Sequence, residues 1–173
     1  MTMSRSWVMI RFLLLLLMIG IACFSALAAT EVLEAKVIAV VDGNTLDVKS
    51  AEGDVFTIML SGVDSPELEQ EFGSEARVFL EKLVLKKNVK VVLEGKDRWG
   101  NRLAVVWLKG VVDLRVELLK AGLAWTAERN PLAELENVRK EAQERGKGIW
   151  ASAEPTPPWI FRRQQTLLQE KSS

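Results

Sequence analysis

Val63-Asp64-Ser65-Pro66-Glu67 is the stretch of this chain that decides its fold. An apolar run stops there, two acidic residues stand three positions apart, and an amphipathic helical pattern follows. Asp64 or Ser65 is suited to cap a helix, Pro66 to occupy its first position, and Glu67 to face the positive end of its dipole. The five residues therefore predict a helix start, and they also place two carboxylates together for chemistry.

The composition restricts what that chemistry is. The chain contains no histidine, which excludes histidine general bases, histidine metal ligands and catalytic triads that need one. Lysine plus arginine and aspartate plus glutamate each number 23, so strong nonspecific attraction to nucleic acid is not predicted. Carboxylates must carry any acid-base work, and the 173 residues suffice for one compact core.

Residues 1–28 have the pattern of a secretory signal peptide. Arg5 and Arg11 come before an apolar run at 12–19, and Ala26-Leu27-Ala28 is a small-residue cleavage pattern. We expect export to the periplasm or medium, with retention of the segment as a membrane anchor as the alternative. Cys23 is the only cysteine and a poor match to an acylation signal, so cleavage after Ala28, acylation at Cys23 and retention all stay open.

The remaining chain predicts a short linker at 29–34, one domain at 35–163 and a polar tail at 164–173. Strands are predicted where β-branched or alternating segments end in turn residues. On the third strand Phe56, Ile58 and Leu60 share one face, so Met59 is expected to point away from the core. The five predicted strands lie at 35–41, 45–49, 55–61, 89–93 and 103–108.

Three helices are predicted from apolar periodicity and from their capping residues. The first follows Pro66 and ends near Lys86, the second is capped by Asp113, and the third starts near Pro131. Arg162-Arg163 is expected to be a solvated tail, with a membrane-surface or partner contact as the alternative. This order predicts an α+β fold, a five-stranded, partly open OB-fold-like barrel with three helices.

Seven short motifs follow one another along the chain. They are Asp42-Gly43-Asn44-Thr45, Gly62-Val63-Asp64-Ser65-Pro66-Glu67, Gln70-Glu71-Phe72-Gly73, Asp97-Arg98-Trp99-Gly100, Gly122-Leu123-Ala124-Trp125, Gly148-Ile149-Trp150 and Pro157-Pro158-Trp159. In these motifs and their order the chain resembles the staphylococcal nuclease family, the thermonucleases. The resemblance implies an OB-fold barrel with helices and an ancestral calcium-dependent cleavage of phosphodiester bonds in nucleic acid.

The resemblance assigns roles to particular residues. Asp64 matches a metal-ligating aspartate, the carbonyl of Ser65 a backbone ligand, and Glu67 the glutamate that acts as general base. Asn44 stands where the family has a second metal-binding aspartate, and a neutral amide implies weak calcium affinity. Met59 and Asn101 stand at the positions of the family's two phosphate-binding arginines.

These departures predict slow chemistry. The loss of one preorganised donor to a developing oxyanion costs on the order of a hundred- to a thousandfold in rate. Arg102 follows Asn101 directly, but consecutive side chains of a strand point to opposite faces, so it is a poor substitute. We therefore expect lost or strongly reduced phosphodiesterase activity.

The functional expectation is an exported binding module that is monomeric and contacts membranes only through its N-terminus. Arg98, Trp99 and Arg102 are candidates for contacts with single-stranded nucleic acid, because an arginine beside an aromatic ring suits phosphate contact and stacking. The alternative is a protein partner that binds at the surface where the family binds its substrate. The alternative function is a slow calcium-dependent endonuclease or exonuclease acting on DNA or RNA.

Overall fold

The computed structural model describes residues 31–172, with side chains described as far as residue 170. The predictions for the signal segment, including Cys23 and the cleavage position Ala28, lie outside the described residues. The strands are β1 Glu31–Val40, β2 Thr45–Ser50, β3 Val55–Leu60, β4 Val63–Asp64, β5 Asn88–Lys96, β6 Arg102–Leu108, β7 Val112–Asp113 and β8 Trp125–Thr126. The helices are α1 Gly73–Val84, α2 Leu114–Lys120, α3 Ala133–Glu144 and α4 Pro158–Ser172, with a 3-10 turn at Gly148–Ala151.

Five strands close into a barrel, which confirms the predicted fold class. β1 pairs antiparallel with both β2 and β5, β2 pairs with β3, and β5 pairs with β6. A short parallel pairing of β3 with β6 joins the two ends of the sheet. β1 starts at Glu31, so residues 31–34 extend this strand where the sequence suggested a linker.

The barrel interior and one face of α1 form the core. Ile58 and Leu60 are fully or almost fully buried, whereas Met59 between them is half-buried on the other side of the strand. This alternation is the one expected from the sequence. Helix α1 covers the barrel through a buried stripe of Ala76, Leu80 and Val84.

The predicted start of α1 at Pro66 is wrong, because the helix begins at Gly73. Residues 65–67 are irregular and residues 68–72 form turns instead, in which the amide of Gln70 donates to the carbonyl of Glu67. Phe72 then adopts the left-handed conformation at φ 66°, which interrupts any right-handed helix that would run through it. Asp64 and Ser65 consequently cap no helix, and their position has to be explained by other contacts.

The ends of α2 and α3 follow the capping signals more closely. The side chain of Asp113 accepts a hydrogen bond from the amide of Arg115, as predicted for the cap of α2. Helix α3 starts at Ala133, two residues after Pro131, and buries Leu135 and Ala142. Leu132 precedes the first helical turn and is 43% exposed.

A fourth helix was not predicted. Helix α4 occupies most of the range 164–173 that the sequence suggested as a polar tail, and Pro158 takes its first position. Its first turn is anchored by the indole of Trp159, which lies edge-on to Trp125 at 5.8 Å between ring centroids. Within residues 31–172, none of the helices has the length and apolar character needed to cross a bilayer.

Gly122 allows two segments of the chain to come into close contact. It has φ +68°, and a Cβ atom there would lie 2.1 Å from the carbonyl oxygen of Lys147. The carbonyl of Gly122 accepts a hydrogen bond from the amide of Ile149 at 2.9 Å. The contact fixes the end of α2 against the 3-10 turn.

We predict that Gly122→Ala destabilises the protein strongly, whereas Gly110→Ala does so mildly. Gly110 has φ +71° but open space around it, so both variants carry the same backbone strain of about 1–2 kcal/mol. The clash with Lys147 should cost Gly122→Ala a further ~1–3 kcal/mol. Urea unfolding of both variants measures the difference, and equal losses would show that the close approach is not tight.

Hydrogen bonds to the carboxylate of Glu136 join α3 to β8. Glu136 accepts hydrogen bonds from the hydroxyl of Thr126 at 2.7 Å and from Nε and Nη2 of Arg139 at 3.0 and 2.7 Å. The hydrogen bonds from Arg139 hold the pKa of Glu136 below its ordinary value of 4.5. Thr126 pairs with Val63 of β4, so these hydrogen bonds support the strand that carries Asp64.

We predict that Glu136→Gln lowers the free energy of unfolding by about 1 kcal/mol at neutral pH, because it weakens charge-assisted hydrogen bonds. A lowered folded-state pKa means that the carboxylate's contribution is complete above pH 4.5 and is lost as the pH falls through the folded-state pKa. The difference between the unchanged protein and the variant should therefore shrink toward pH 3. The exposed Glu141 on the same helix supplies the control Glu141→Gln, and a gap that persists unchanged in acid would contradict the prediction.

Candidate functional site

Asp64 is positioned by a two-stranded sheet beside the barrel. Strand β4 pairs antiparallel with β8, so that Val63 faces Thr126 and Asp64 faces Trp125. The amide of Ala127 donates to the carbonyl of Gly62 at 3.0 Å, which extends this pairing. The backbone at Asp64 is therefore fixed, and its side chain is 19% exposed.

Glu67 is positioned by Gln70. The amide of Glu67 donates to Oε1 of Gln70 at 2.9 Å, and Nε2 of Gln70 donates to the carbonyl of Thr156 at 3.1 Å. One side chain thus ties the turn after β4 to the proline-rich segment before α4. The carboxylate of Glu67 is one-third exposed on the same side as Asp64.

A guanidinium group lies between these two carboxylates. Nη2 of Arg162 donates to Oδ2 of Asp64 at 2.7 Å, and Nη1 donates to Oδ1 of Asp64 at 3.2 Å and to Oε1 of Glu67 at 2.5 Å. Arg162 belongs to the first turns of α4, and the next residue, Arg163, pairs with Glu128 at 2.6 Å. The structure therefore brings Asp64 and Glu67 together through an arginine that neutralises part of their charge.

The local field remains negative. Burial raises the pKa of Asp64, and the charges of Asp42 and Glu128 act in the same direction, whereas Arg162 opposes them. The hydrogen bonds that Arg162 donates to Asp64 raise the pKa of Arg162 further above its ordinary value. Asp64 and Glu67 thus share the guanidinium of Arg162, and the nearby charges of Asp42 and Glu128 disfavour a further negative charge at Asp64.

Asn44 and Ser65 are held against each other by an internal hydrogen bond. Asn44 is buried, and its Oδ1 accepts from the amide of Ser65 at 3.3 Å. A Cβ atom on Gly43 would lie 2.5 Å from Cβ of Ser65, so this approach requires a glycine. The buried hydroxyl of Ser65 finds no hydrogen-bond partner in the described part of the chain.

This donor set does not fit a calcium ion as it is arranged. Calcium takes six to eight oxygen ligands, but both oxygens of Asp64 and one of Glu67 accept from Arg162, and the amide oxygen of Asn44 accepts from Ser65. Across the described residues, no three or more acidic, histidine or cysteine side chains are grouped to hold a metal ion. The carboxylates here bind an internal cation.

In the loop before β6, Asn101 donates hydrogen bonds to Asp97. Asp97 accepts from the amides of Trp99 and Asn101, each at 2.9 Å, and from Nδ2 of Asn101 at 2.8 Å. Despite opposing desolvation, these hydrogen bonds lower the pKa of Asp97. Met59 pairs with Leu103 across the barrel closure, and its thioether has no hydrogen to donate.

Arginine and aromatic side chains cluster near the same loop. The guanidinium of Arg98 lies 4.0 Å from the ring centroid of Trp99, whose side chain is 71% exposed. Arg102 lies 4.6 Å from the ring centroid of Phe56 and so follows the inward face of β3. These contacts place Arg98 and Arg102 on aromatic rings, and the arginine that contacts Asp64 and Glu67 is Arg162.

The expectation of a solvated tail at Arg162-Arg163 is therefore wrong, because both arginines form ion pairs. Arg162 is distant in sequence from the acidic residues that it contacts, and no local pattern reveals a contact across such a separation. The available signal was the helix start, a proline pair followed by apolar residues at 159–161. A helix there directs some side chains back onto the domain.

Comparison with known proteins identifies the domain. The family model for staphylococcal nuclease homologues matches residues 57–152, a segment that contains Asp64 and Glu67 and stops before Arg162. A protein named uncharacterized endonuclease from Escherichia coli O157:H7 is 32% identical over 131 residues, covering 75% of this chain and 85% of that protein. One of the same name from Haemophilus influenzae is 32% identical over 135 residues, covering 76% and 74%.

A plant protein extends the likeness to eukaryotes. Staphylococcal-like nuclease CAN1 of Arabidopsis thaliana is 38% identical over 109 residues, covering 62% of this chain and 33% of that protein. With the closed barrel and the family model in agreement, this chain belongs to the staphylococcal nuclease family.

Proposed function

We propose that this domain binds single-stranded nucleic acid and hydrolyses phosphodiester bonds slowly or not at all. The observation that carries the proposal is that the guanidinium at the carboxylate pair, that of Arg162, is engaged by Asp64 and Glu67. A phosphate entering the site would compete with two carboxylates for that group. Weak calcium affinity belongs to the same proposal.

The two positions that the family resemblance assigns to arginine support it. Met59 offers no donor, and the amide of Asn101 donates to Asp97. Because each missing donor to a developing oxyanion costs on the order of a hundred- to a thousandfold in rate, two missing donors leave little turnover even when their effects are not additive. The barrel does not need those arginines to fold, so the domain keeps its shape without them.

The proposed binding surface is the loop of residues 97–101. Its exposed indole at Trp99 offers a π-face to a base, and Arg98 supplies positive charge beside it. Asp97 holds the loop in one conformation through hydrogen bonds to Trp99 and Asn101. A preorganised aromatic group of this kind suits single strands, since every base can stack on it.

A slow calcium-dependent nuclease is the second candidate, because the two bacterial relatives carry the name endonuclease and because Asp64 and Glu67 lie side by side. In that case Arg162 would have to move away from the carboxylates before each turnover. We also propose export of the domain, on the sequence pattern of residues 1–28 alone.

We predict that the purified protein shows at most barely detectable chelator-sensitive turnover of single-stranded DNA or RNA. The variant Asn44→Asp, Met59→Arg, Asn101→Arg should gain a rate of about a hundredfold or more, because it supplies a ligand charge and two donors. A fluorogenic oligonucleotide assayed with calcium and with chelator measures both. Rapid calcium-dependent cleavage by the unchanged protein that disappears in Glu67→Gln would favour the nuclease and refute the proposal.

We further predict that Trp99→Ala weakens binding of a single-stranded oligonucleotide by roughly five- to a hundredfold, because base stacking on one aromatic ring contributes about 1–3 kcal/mol. Val111 is 75% exposed on another turn, so Val111→Ala is the control and should leave binding unchanged. Fluorescence anisotropy at several salt concentrations gives the affinities. Absence of binding by the unchanged protein at low salt would point to a protein partner.

A further inference from the structure

Helix α4, which lies outside the barrel, supplies the guanidinium that contacts Asp64 and Glu67. Arg162 lies beyond the segment that matches the family model, and its guanidinium contacts both oxygens of Asp64 and one of Glu67. A planar guanidinium with paired N–H donors matches a carboxylate in geometry as well as in charge. It satisfies oxygens that a free cation would otherwise use.

The first turns of α4 lie against the domain. There Trp159 contacts Trp125, and Arg162 and Arg163 form their ion pairs. From Arg162 to Glu170 the side chains are exposed, and Leu167 and Leu168 are 58% and 61% exposed. The buried core of the barrel contains no residue of α4 among those described. The helix can therefore detach from the domain without exposing the barrel core.

The ion pairs that hold the helix are also half-exposed. The side chain of Arg162 is 48% exposed and that of Arg163 is 58% exposed. Ion pairs in contact with water contribute little to stability and are screened by salt. A divalent cation carries twice the charge of a guanidinium, so it can compete for the same oxygens.

We propose that α4 docking and divalent-cation binding exclude each other, because the guanidinium of Arg162 occupies the place of a cation between Asp64 and Glu67. This inference rests on the proposed function, because it describes regulation of the same site. Binding that excludes must do so in both directions, so a cation that enters the pair releases α4. The C-terminal helix is then an internal competitor for the carboxylates.

The test measures calcium binding to the whole chain by calorimetry and by displacement of luminescent terbium. Arg162→Gln should bind calcium more tightly than the unchanged protein by roughly tenfold or more. Arg163→Gln is the matched control, since it removes an adjacent exposed arginine of the same helix that pairs with Glu128. Because an exposed ion pair contributes little to docking, its calcium affinity should rise far less than that of Arg162→Gln.

Two further variants keep the result unambiguous. Arg162→Lys retains the positive charge but lacks the paired N–H donors of the guanidinium. Its calcium affinity should lie between those of the unchanged protein and Arg162→Gln. Adding Asp64→Asn to Arg162→Gln should abolish the gain, and a gain that survives would mean that calcium binds elsewhere and would refute the inference. Circular dichroism and thermal melting establish that each variant is folded.

The reverse direction is read by trypsin, which cleaves after arginine. Saturating calcium should speed cleavage at Arg162 and Arg163 in the unchanged protein, because the released helix exposes both bonds. Equal calcium affinity in Arg162→Gln and in the unchanged protein, or cleavage that calcium does not alter, would overturn the inference. Neither readout uses turnover, so a protein that proves to be an active nuclease would refute the proposed function and leave this result to be judged separately.

Discussion

The short parallel pairing of β3 with β6 is the constraint on which the rest of the domain depends. Three residue pairs, from Ile58 with Arg102 to Leu60 with Ala104, turn an open sheet into a closed barrel. A hydrogen bond from the amide of Ser61 to the carbonyl of Ala104 continues the closure, and one from the amide of Leu60 to the carbonyl of Asn44 extends the pairing of β3 with β2. A closed sheet leaves few unpaired strand edges, and it brings the turn after β1 beside the strand that carries Asp64.

The same closure decides which side chains are available for chemistry. Because side chains alternate along a strand, Ile58 and Leu60 enter the core, and Met59 faces the other side next to Leu103. Arg102 follows the inward side and meets Phe56. Substitutions on the outward side therefore change what the domain can bind without disturbing how it folds, which is how a family fold accommodates different activities.

Much of the barrel could be predicted from the sequence, since β-strand alternation and turn residues are local signals. The helix start at Pro66 was mispredicted because its local caps were outweighed by two features, the hydrogen bond from the amide of Glu67 to Gln70 and the left-handed backbone of Phe72. The positions of Asp64 and Glu67 came from motifs. Their contact with Arg162 depends on tertiary structure, and no short sequence window contains it.

The aromatic contact at the base of α4 has a spectroscopic consequence. The ring of Trp125 lies 4.4 Å from that of Trp150 and 5.8 Å from that of Trp159, and only the last of these belongs to α4. Indoles at such separations couple their electronic transitions and give a circular dichroism signal in the ultraviolet that isolated rings lack. The chain therefore carries an intrinsic optical label for the attachment of its last helix, and it needs no dye.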